Sequence, residues 1–272
     1  MPCLIDSHVH TSFSGDSDAP MEDMILAAVR RGLTGLCFTE HLDWEYPVCL
    51  ECPPGTFEPD IDAYQQQFAL LKQKYADKIH LRFGIELGLQ PQLSQRHREL
   101  LASYPFDFVI GSAHVVHGQD PYYPAFYEGR QEEDCYREYF QCVLENIEAF
   151  PQYDSFGHLD YVVRYGPNRD QEYTFAKYQD VLDPILKKLA MTGKALECNT
   201  GAIRYGLREL NPSLFILKRF RQFGGEFVTI GSDAHTPDRV GDGFERACQV
   251  LKAAGFSYYT IYEKRRPRFL KL

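Results

Sequence analysis

Phe106-Asp107-Phe108-Val109-Ile110-Gly111-Ser112-Ala113-His114 is a short β-prone run that ends in a histidine. Aromatic and β-branched residues suit a pleated strand, so the run reads as a strand with His114 at its C-terminal end. Working outward, the design recurs on both sides. Towards the N-terminus lie HLRFGIEL (80–87), GLCFTE (35–40) and CLIDSH (3–8). Towards the C-terminus lie YDSFGH (153–158), KALECN (194–199) and EFVTIGS (226–232). Seven strand candidates result.

Amphipathic segments fit between them. Helices are expected at 21–31 (after Pro20, closing at Gly32), 60–75, 92–102, 132–150 (stopped by Pro151) and 174–191. Pro184 lies inside the last of these, a position that can kink a helix. Asn211-Pro212 reads as the start of a helix ending at Gly224-Gly225, and another runs from about 242 to 254 before Gly255. Strands alternating with helices are the pattern of βα units. No linker, repeat or low-complexity tract divides the 272 residues, so 1–272 is expected to form a single α/β barrel domain. Segments 42–59 and 115–131 are long for barrel loops and are read as lids or substrate walls. The basic run Arg265-Arg266-Pro267-Arg268 is read as a solvated tail.

Hydrophobic residues make up 44% of the chain, enough for a core without disulfides or partners. No apolar stretch is long enough to span a membrane, and the N-terminus shows no signal pattern, so a soluble, cytoplasmic protein is expected. Formal net charge is -9, which argues against a polynucleotide-binding surface but leaves room for a small phosphorylated substrate held by a few buried cations. The eight cysteines do not suggest a disulfide scaffold. Cys49-Leu50-Glu51-Cys52 is a C-x-x-C, but no second one follows at zinc-ribbon spacing, so the pair is read as loop thiols. Nothing in the sequence specifies an oligomeric state.

The ionisable residues collect at strand ends. His8 and His10 end the first strand, His41 the second, Glu86 the third, His114 the fourth and His158 the fifth; Asp233 and His235 end the seventh. Residues two apart on a strand share a face, so His8 and His10 can reach one ion. In a βα barrel the C-terminal rim is where active sites assemble from several strands. Six of the nine histidines fall there. His80 and His97 are read as structural or exposed, and His117, just past His114, as a candidate substrate contact.

The strings DSHVHTSFSGDS (6–17), TEH (39–41), GIE (84–86), GSAH (111–114), GHLD (157–160) and GSDAH (231–235) resemble the polymerase-and-histidinol-phosphatase (PHP) superfamily, in order and spacing, over essentially the whole chain. That resemblance implies a distorted (β/α)7 barrel and three divalent metal ions. His8, His10, Asp233 and a bridging Glu86 are implied for the first ion, Glu86, His114 and His158 for the second, and Asp16, His41 and His235 for the third. Asp18 is an alternative to Asp16. A shell of imidazole and carboxylate without thiolate suits zinc, iron or manganese.

Two arginines follow strands: Arg164 in GHLDYVVR and Arg204 in ECNTGAIR. Both strings resemble the histidinol-phosphatase branch, in which they supply phosphate-binding arginines; Thr200-Gly201 stands where Ser-Gly is usual. A planar guanidinium can donate two parallel hydrogen bonds to a phosphate. Each arginine has an alternative role pairing a carboxylate at the rim. The expected reaction is hydrolysis of L-histidinol phosphate by a metal-bridging hydroxide, with Asp160 or His235 as proton donor to the leaving alcohol. Glu197 and Asn199 share a strand face; Glu197 neutralises Arg204, contacts a substrate amine, or is structural. The loops with Asp43, Trp44 and Tyr46, or with Tyr122 and Tyr123, are candidates for the acidic, aromatic wall around the imidazole and amine. The nearest alternative is a phosphoesterase of the same type acting on nucleotides or another small phosphate monoester. A non-catalytic metal module fits poorly with a full set of competent ligands, and a C–N hydrolase has little use for Arg164 and Arg204.

Overall fold

The computed structural model describes residues 4–49 and 52–272. Cys3 of the first strand candidate, and Leu50 and Glu51 of the C-x-x-C run, lie outside the described residues. Seven strands pair in chain order: β1 (Ile5–Val9), β2 (Gly35–Leu42), β3 (His80–Gly88), β4 (Phe108–Ser112), β5 (Ser155–Phe156), β6 (Ala195–Asn199) and β7 (Val228–Gly231). Every neighbouring pair is parallel. The ring closes where the Asp233 amide donates to the His8 carbonyl (2.8 Å) and the His10 amide to the Ala234 carbonyl (2.9 Å). The expected (β/α)7 barrel is thus the observed one. β1 is irregular: Asp6 pairs with Leu36 but Val9 with Phe38, so one extra residue bulges out between them. Bulges re-aim side chains, and this one lies directly under His8 and His10.

Helices cover the outside: α1 (Met21–Arg30), α2 (Ile61–Lys74), α3 (Ser94–Ser103), α4 (Glu132–Ala149), α5 (Phe175–Met191), α6 (Leu214–Gln222) and α7 (Phe244–Ala253). α1 shows the general logic. Acidic Glu22 and Asp23 sit in its first turn, favourable to the helix dipole, while Met24, Ile25 and Ala28 face the sheet and are buried. Full burial of a Met or Ile side chain stabilises by roughly 1.5–3 kcal/mol, so a charge at Ile25 would undo the docking of the whole helix. α2 starts at an Asp60 carboxylate that accepts from the Ala63 amide (3.0 Å), and its buried Tyr64 donates to the carbonyls of Phe38 and Gly84. No helix among the described residues is long and apolar enough to cross a membrane.

α5 runs from Phe175 to Met191 with Pro184 inside it, the span expected. Two local expectations need revision. α6 begins at Leu214, not at Asn211-Pro212; Asn211 instead exchanges backbone hydrogen bonds with Asn199 at the end of β6 (2.8 and 3.2 Å). The basic tail is no tail: β8 (Tyr258–Glu263) and β9 (Arg266–Lys271) form an antiparallel hairpin. Tyr262 stacks on Phe108, and Arg265 pairs with Asp154, which fastens the hairpin beneath the barrel. The apolar run Tyr259-Thr260-Ile261-Tyr262 is buried, and that burial holds the basic turn in place.

Candidate active site

At the C-terminal rim the strand-end residues converge. His8 Nε2 lies 3.1 Å from Glu86 Oε2 and 3.7 Å from Asp233 Oδ1; His10 Nε2 lies 3.4 and 3.5 Å from the same two oxygens. A second triangle joins Glu86 Oε1, His114 Nε2 and His158 Nε2 with sides of 3.4, 2.9 and 3.5 Å. At the outer edge Asp16 Oδ2 lies 3.6 Å from His41 Nε2 and 3.1 Å from His235 Nε2. Asp16, not Asp18, reaches these rings. An ion bound at about 2.1 Å in tetrahedral geometry separates its ligand atoms by about 3.4 Å, close to the spacings in all three groups. The buried Nε2 atoms of His10 and His235 have no hydrogen-bond partner, as expected of nitrogens whose lone pairs face a cation. The residues present therefore fit divalent ions.

Outer carboxylates fix the rings. His8 Nδ1–H donates to Glu197 Oε1 (2.6 Å), and His114 Nδ1–H donates to Asp43 Oδ1 (2.8 Å). His10 Nδ1–H donates to Ser14 Oγ (3.0 Å), whose hydroxyl donates to Glu40 Oε2 (2.6 Å). A carboxylate beyond Nδ1 holds the proton there and leaves Nε2 with a lone pair for an ion. Glu197 also accepts from the His158 amide (2.8 Å), so its role is to orient two rings, not to neutralise Arg204. Asp6, beneath β1, accepts from the Ser232 amide and hydroxyl and so ties the Asp233 segment to β1. Asp233 itself holds φ +56°, a left-handed conformation that aims its carboxylate into the cluster and is costly enough outside glycine to mark a functional position.

The electrostatics reflect this crowding. Burial disfavours charge on His8, yet Glu197, Glu86 and Asp233 overcome it and hold its pKa well above the ordinary value. His41 is likewise raised to about 9, burial being outweighed by Asp16 and Glu86. His10 is lowered by burial and by its stacked neighbours His41 and His235. Glu86 and Asp233 stay well below the carboxylate range in spite of burial, chiefly because of His8. A cation bound here takes the place of protons on these groups.

Arg164 is buried and held by three acceptors: Asn211 Oδ1 at Nε, Asp233 Oδ2 at Nη1 and Asn199 Oδ1 at Nη2, each 2.9 Å away. Arg204 donates to the carbonyls of Ser232 (2.8 Å) and Asp233 (2.6 Å). A Cβ at Gly201 would come within 3.0 Å of Arg204 Nη2, so the glycine leaves space for that guanidinium. Both arginines line a cavity of about 550 Å³, together with Asp16, His41, His114, His158, Asp233 and His235. Its walls include Asp43, Tyr46 and Cys52 from one long loop and Asp120, Tyr122 and Tyr123 from the other. The thiols of Cys49 and Cys52 both contact the Tyr123 hydroxyl (3.2 and 3.1 Å).

Some candidates do not reach the cavity. Asp160 is buried behind it, accepting from Asn211 Nδ2 (2.8 Å), with its pKa raised by burial to about 6. Of the two expected proton donors only His235 faces the cavity. Trp44 turns away to stack on His97 beneath Arg96. His117 is exposed and pairs with Glu138 and Glu145. Sequence reasoning did not pair Ser14 with Glu40, or Asp43 with His114; the Glu40 of TEH, directly before a strand-end histidine, was the available signal.

A parallel seven-stranded barrel with this rim defines a class, and residues 6–201 match the PHP domain model: the chain belongs to the PHP domain family. Its relatives narrow the class. The histidinol-phosphatase of Lactococcus lactis subsp. lactis is 35% identical over 93% of this chain and 91% of its own length. The probable histidinol-phosphatase of Clostridium acetobutylicum is 33% identical over 96% of this chain and 98% of its own. The crystal structure of the L. lactis histidinol phosphate phosphatase, complexed with zinc, L-histidinol and phosphate, matches with a TM-score of 0.87 at 32% identity, covering 98% of this chain and 99% of that one.

Proposed function

We propose that this protein hydrolyses L-histidinol phosphate to L-histidinol and phosphate, a metal-dependent phosphomonoesterase reaction that we place in the cytoplasm. The observation that carries the reading is the convergence of strand-end His, Asp and Glu donors at one rim, several of which line a cavity together with Arg164 and Arg204, in a chain aligned over 93% of its length with the L. lactis histidinol-phosphatase. Three divalent ions are proposed: one held by His8, His10, Glu86 and Asp233, one by Glu86, His114 and His158, one by Asp16, His41 and His235. Zinc, iron and manganese all suit this nitrogen and oxygen set. Bound there, such ions supply the Lewis acidity that makes water nucleophilic near neutral pH and neutralises phosphoryl oxygens.

The chain's own groups do the rest. Arg164 spends three of its five N–H donors on the protein and Arg204 two, so both retain donors for phosphoryl oxygens. Because each guanidinium is already pinned, little orientation is lost when phosphate arrives, and the charged hydrogen bonds strengthen as the transition state gains charge. His235 cannot both hold the outer ion through Nε2 and protonate the departing alcohol, since its Nδ1 is engaged by the Asp233 carbonyl, so it is assigned as a ligand. Asp120 anchors the aromatic wall by accepting from Tyr46 and Tyr161, and it brings negative charge to the side where the imidazole and amine would lie. The test is turnover of L-histidinol phosphate by metal-loaded protein, with L-histidinol and phosphate expected in equal amounts; no turnover would overturn the reading.

A further inference from the structure

Behind the cavity, Asp160, Asn211 and Arg164 form a line of hydrogen bonds with each residue almost wholly buried. We infer that Asp160 and Asn211 are positioning residues for phosphate binding: Asp160 sets the direction of the Asn211 amide, and Asn211 sets the angle of the Arg164 guanidinium. The inference rests on the reading that Arg164 contacts the phosphoryl group.

An asparagine amide has one accepting end and one donating end, and from the side chain alone either can face the arginine. Asp160 removes that freedom. As a carboxylate it can only accept, so the Asn211 NH2 must turn towards it, at 2.8 Å. The Asn211 carbonyl then necessarily faces Arg164 Nε, at 2.9 Å. Reversed, the amide would set NH2 against a guanidinium, donor against donor, in a place without solvent. Asn211 is itself brought there by backbone pairing with Asn199, the residue whose side chain holds Arg164 Nη2. With Asp233 on Nη1, all three guanidinium nitrogens are pinned from separate segments of chain. The plane is fixed before phosphate arrives, leaving one N–H on each of Nη1 and Nη2 unassigned within the protein. This also accounts for an acid that follows a strand-end histidine by two residues yet never reaches the cavity.

Inorganic phosphate inhibition of aryl phosphate hydrolysis reads the effect without depending on the natural substrate. Three variants are compared at measured metal content: Asn211→Leu, Asn211→Asp, and the exchange Asp160→Asn/Asn211→Asp. Asn211→Leu, which cannot hold Arg164 Nε, is expected to raise the inhibition constant of phosphate at least about tenfold with metal content unchanged. Asn211→Asp sets carboxylate against carboxylate and should do the same. In the exchange the new amide at 160 donates to the new carboxylate at 211, which still accepts from Arg164, so the constant should return to within about threefold of the parent. A scaffold role alone would lower thermal stability without rescue by the exchange. An unchanged inhibition constant in Asn211→Leu, or a folded, metal-replete exchange variant still weakened as much as Asn211→Asp, would overturn the inference. Arg164→Ala separates the two failures. If it leaves the constant unchanged, the phosphate contact itself is wrong; if it raises the constant while Asn211→Leu does not, only the relay is wrong.

Discussion

The two ends of the histidine cluster are built differently. At the inner end His8, His10 and Glu86 are fully buried and Asp233 is 3% exposed; His8 leans on Glu197, and His10 on Ser14 and Glu40. At the outer end the Asp16 side chain is 42% exposed and that of His235 24%, and the other nitrogen of His235 is hydrogen-bonded to the Asp233 carbonyl (2.9 Å), with that residue's carboxylate farther off at 3.8 Å. Burial and an outer carboxylate cost stability in the empty protein, because they crowd charges out of water, and that cost is recovered when a cation enters. On the proposed three-ion reading, the inner groups would therefore hold their ions more tightly than the outer group, whose ion would share its edge with incoming substrate.

The largest effect should come from the residue that joins these regions. Glu86 faces His8, His10 and His41 through Oε2 and His114 and His158 through Oε1. Glu86→Ala is expected to lower kcat/KM by about 10⁴ or more and to reduce metal content measured by elemental analysis. Full occupancy with full activity would remove Glu86 from its place as the bridge. Next comes the contrast itself. Glu197→Gln should weaken inner metal affinity by roughly 10- to 100-fold in chelator competition, whereas Asp16→Asn should release only the outermost ion, with a smaller loss. Equal effects at both ends would break the comparison.

The smallest effect lies outside the cluster, in a buried histidine with no outer carboxylate. His97 packs between Trp44 and Phe150, its ring nitrogens unpaired, and burial depresses its pKa from 6.5 to about 4. It stays neutral when folded but takes up a proton on unfolding below pH 6.5. Stability on its account is complete above pH 6.5 and falls as the pH drops towards 4. His97→Phe removes that dependence, so between pH 7.5 and 5 the parent should lose about 2 kcal/mol relative to the variant, read from urea midpoints. Parallel curves would show that the ring is not held neutral.

The fold and the inner shell of the site were legible for one reason. A βα barrel places functional groups at strand ends, so His8, His41, Glu86, His114, His158 and Asp233 can be located by local pattern alone. Arg164 and Arg204 follow the same rule, each in a short helical turn after its strand. What escaped depends on contacts remote in sequence. Glu197 lies on a strand face like many acids, and only closure of the ring brings it to His8. Asp160, in a motif beside a strand-end histidine, looked like part of the chemistry; its carboxylate instead faces Asn211, in a segment that read as a helix start. The β8–β9 hairpin was hidden because its basic turn outweighed the apolar run preceding it.

The most direct measurement compares kcat/KM of the metal-loaded protein for L-histidinol phosphate, a nucleoside monophosphate and a generic aryl phosphate. Preference for L-histidinol phosphate by about 100-fold or more, sharply reduced in Arg204→Ala, is the predicted result. Equal or better turnover of the nucleotide would contradict the substrate assignment while leaving the metal site intact.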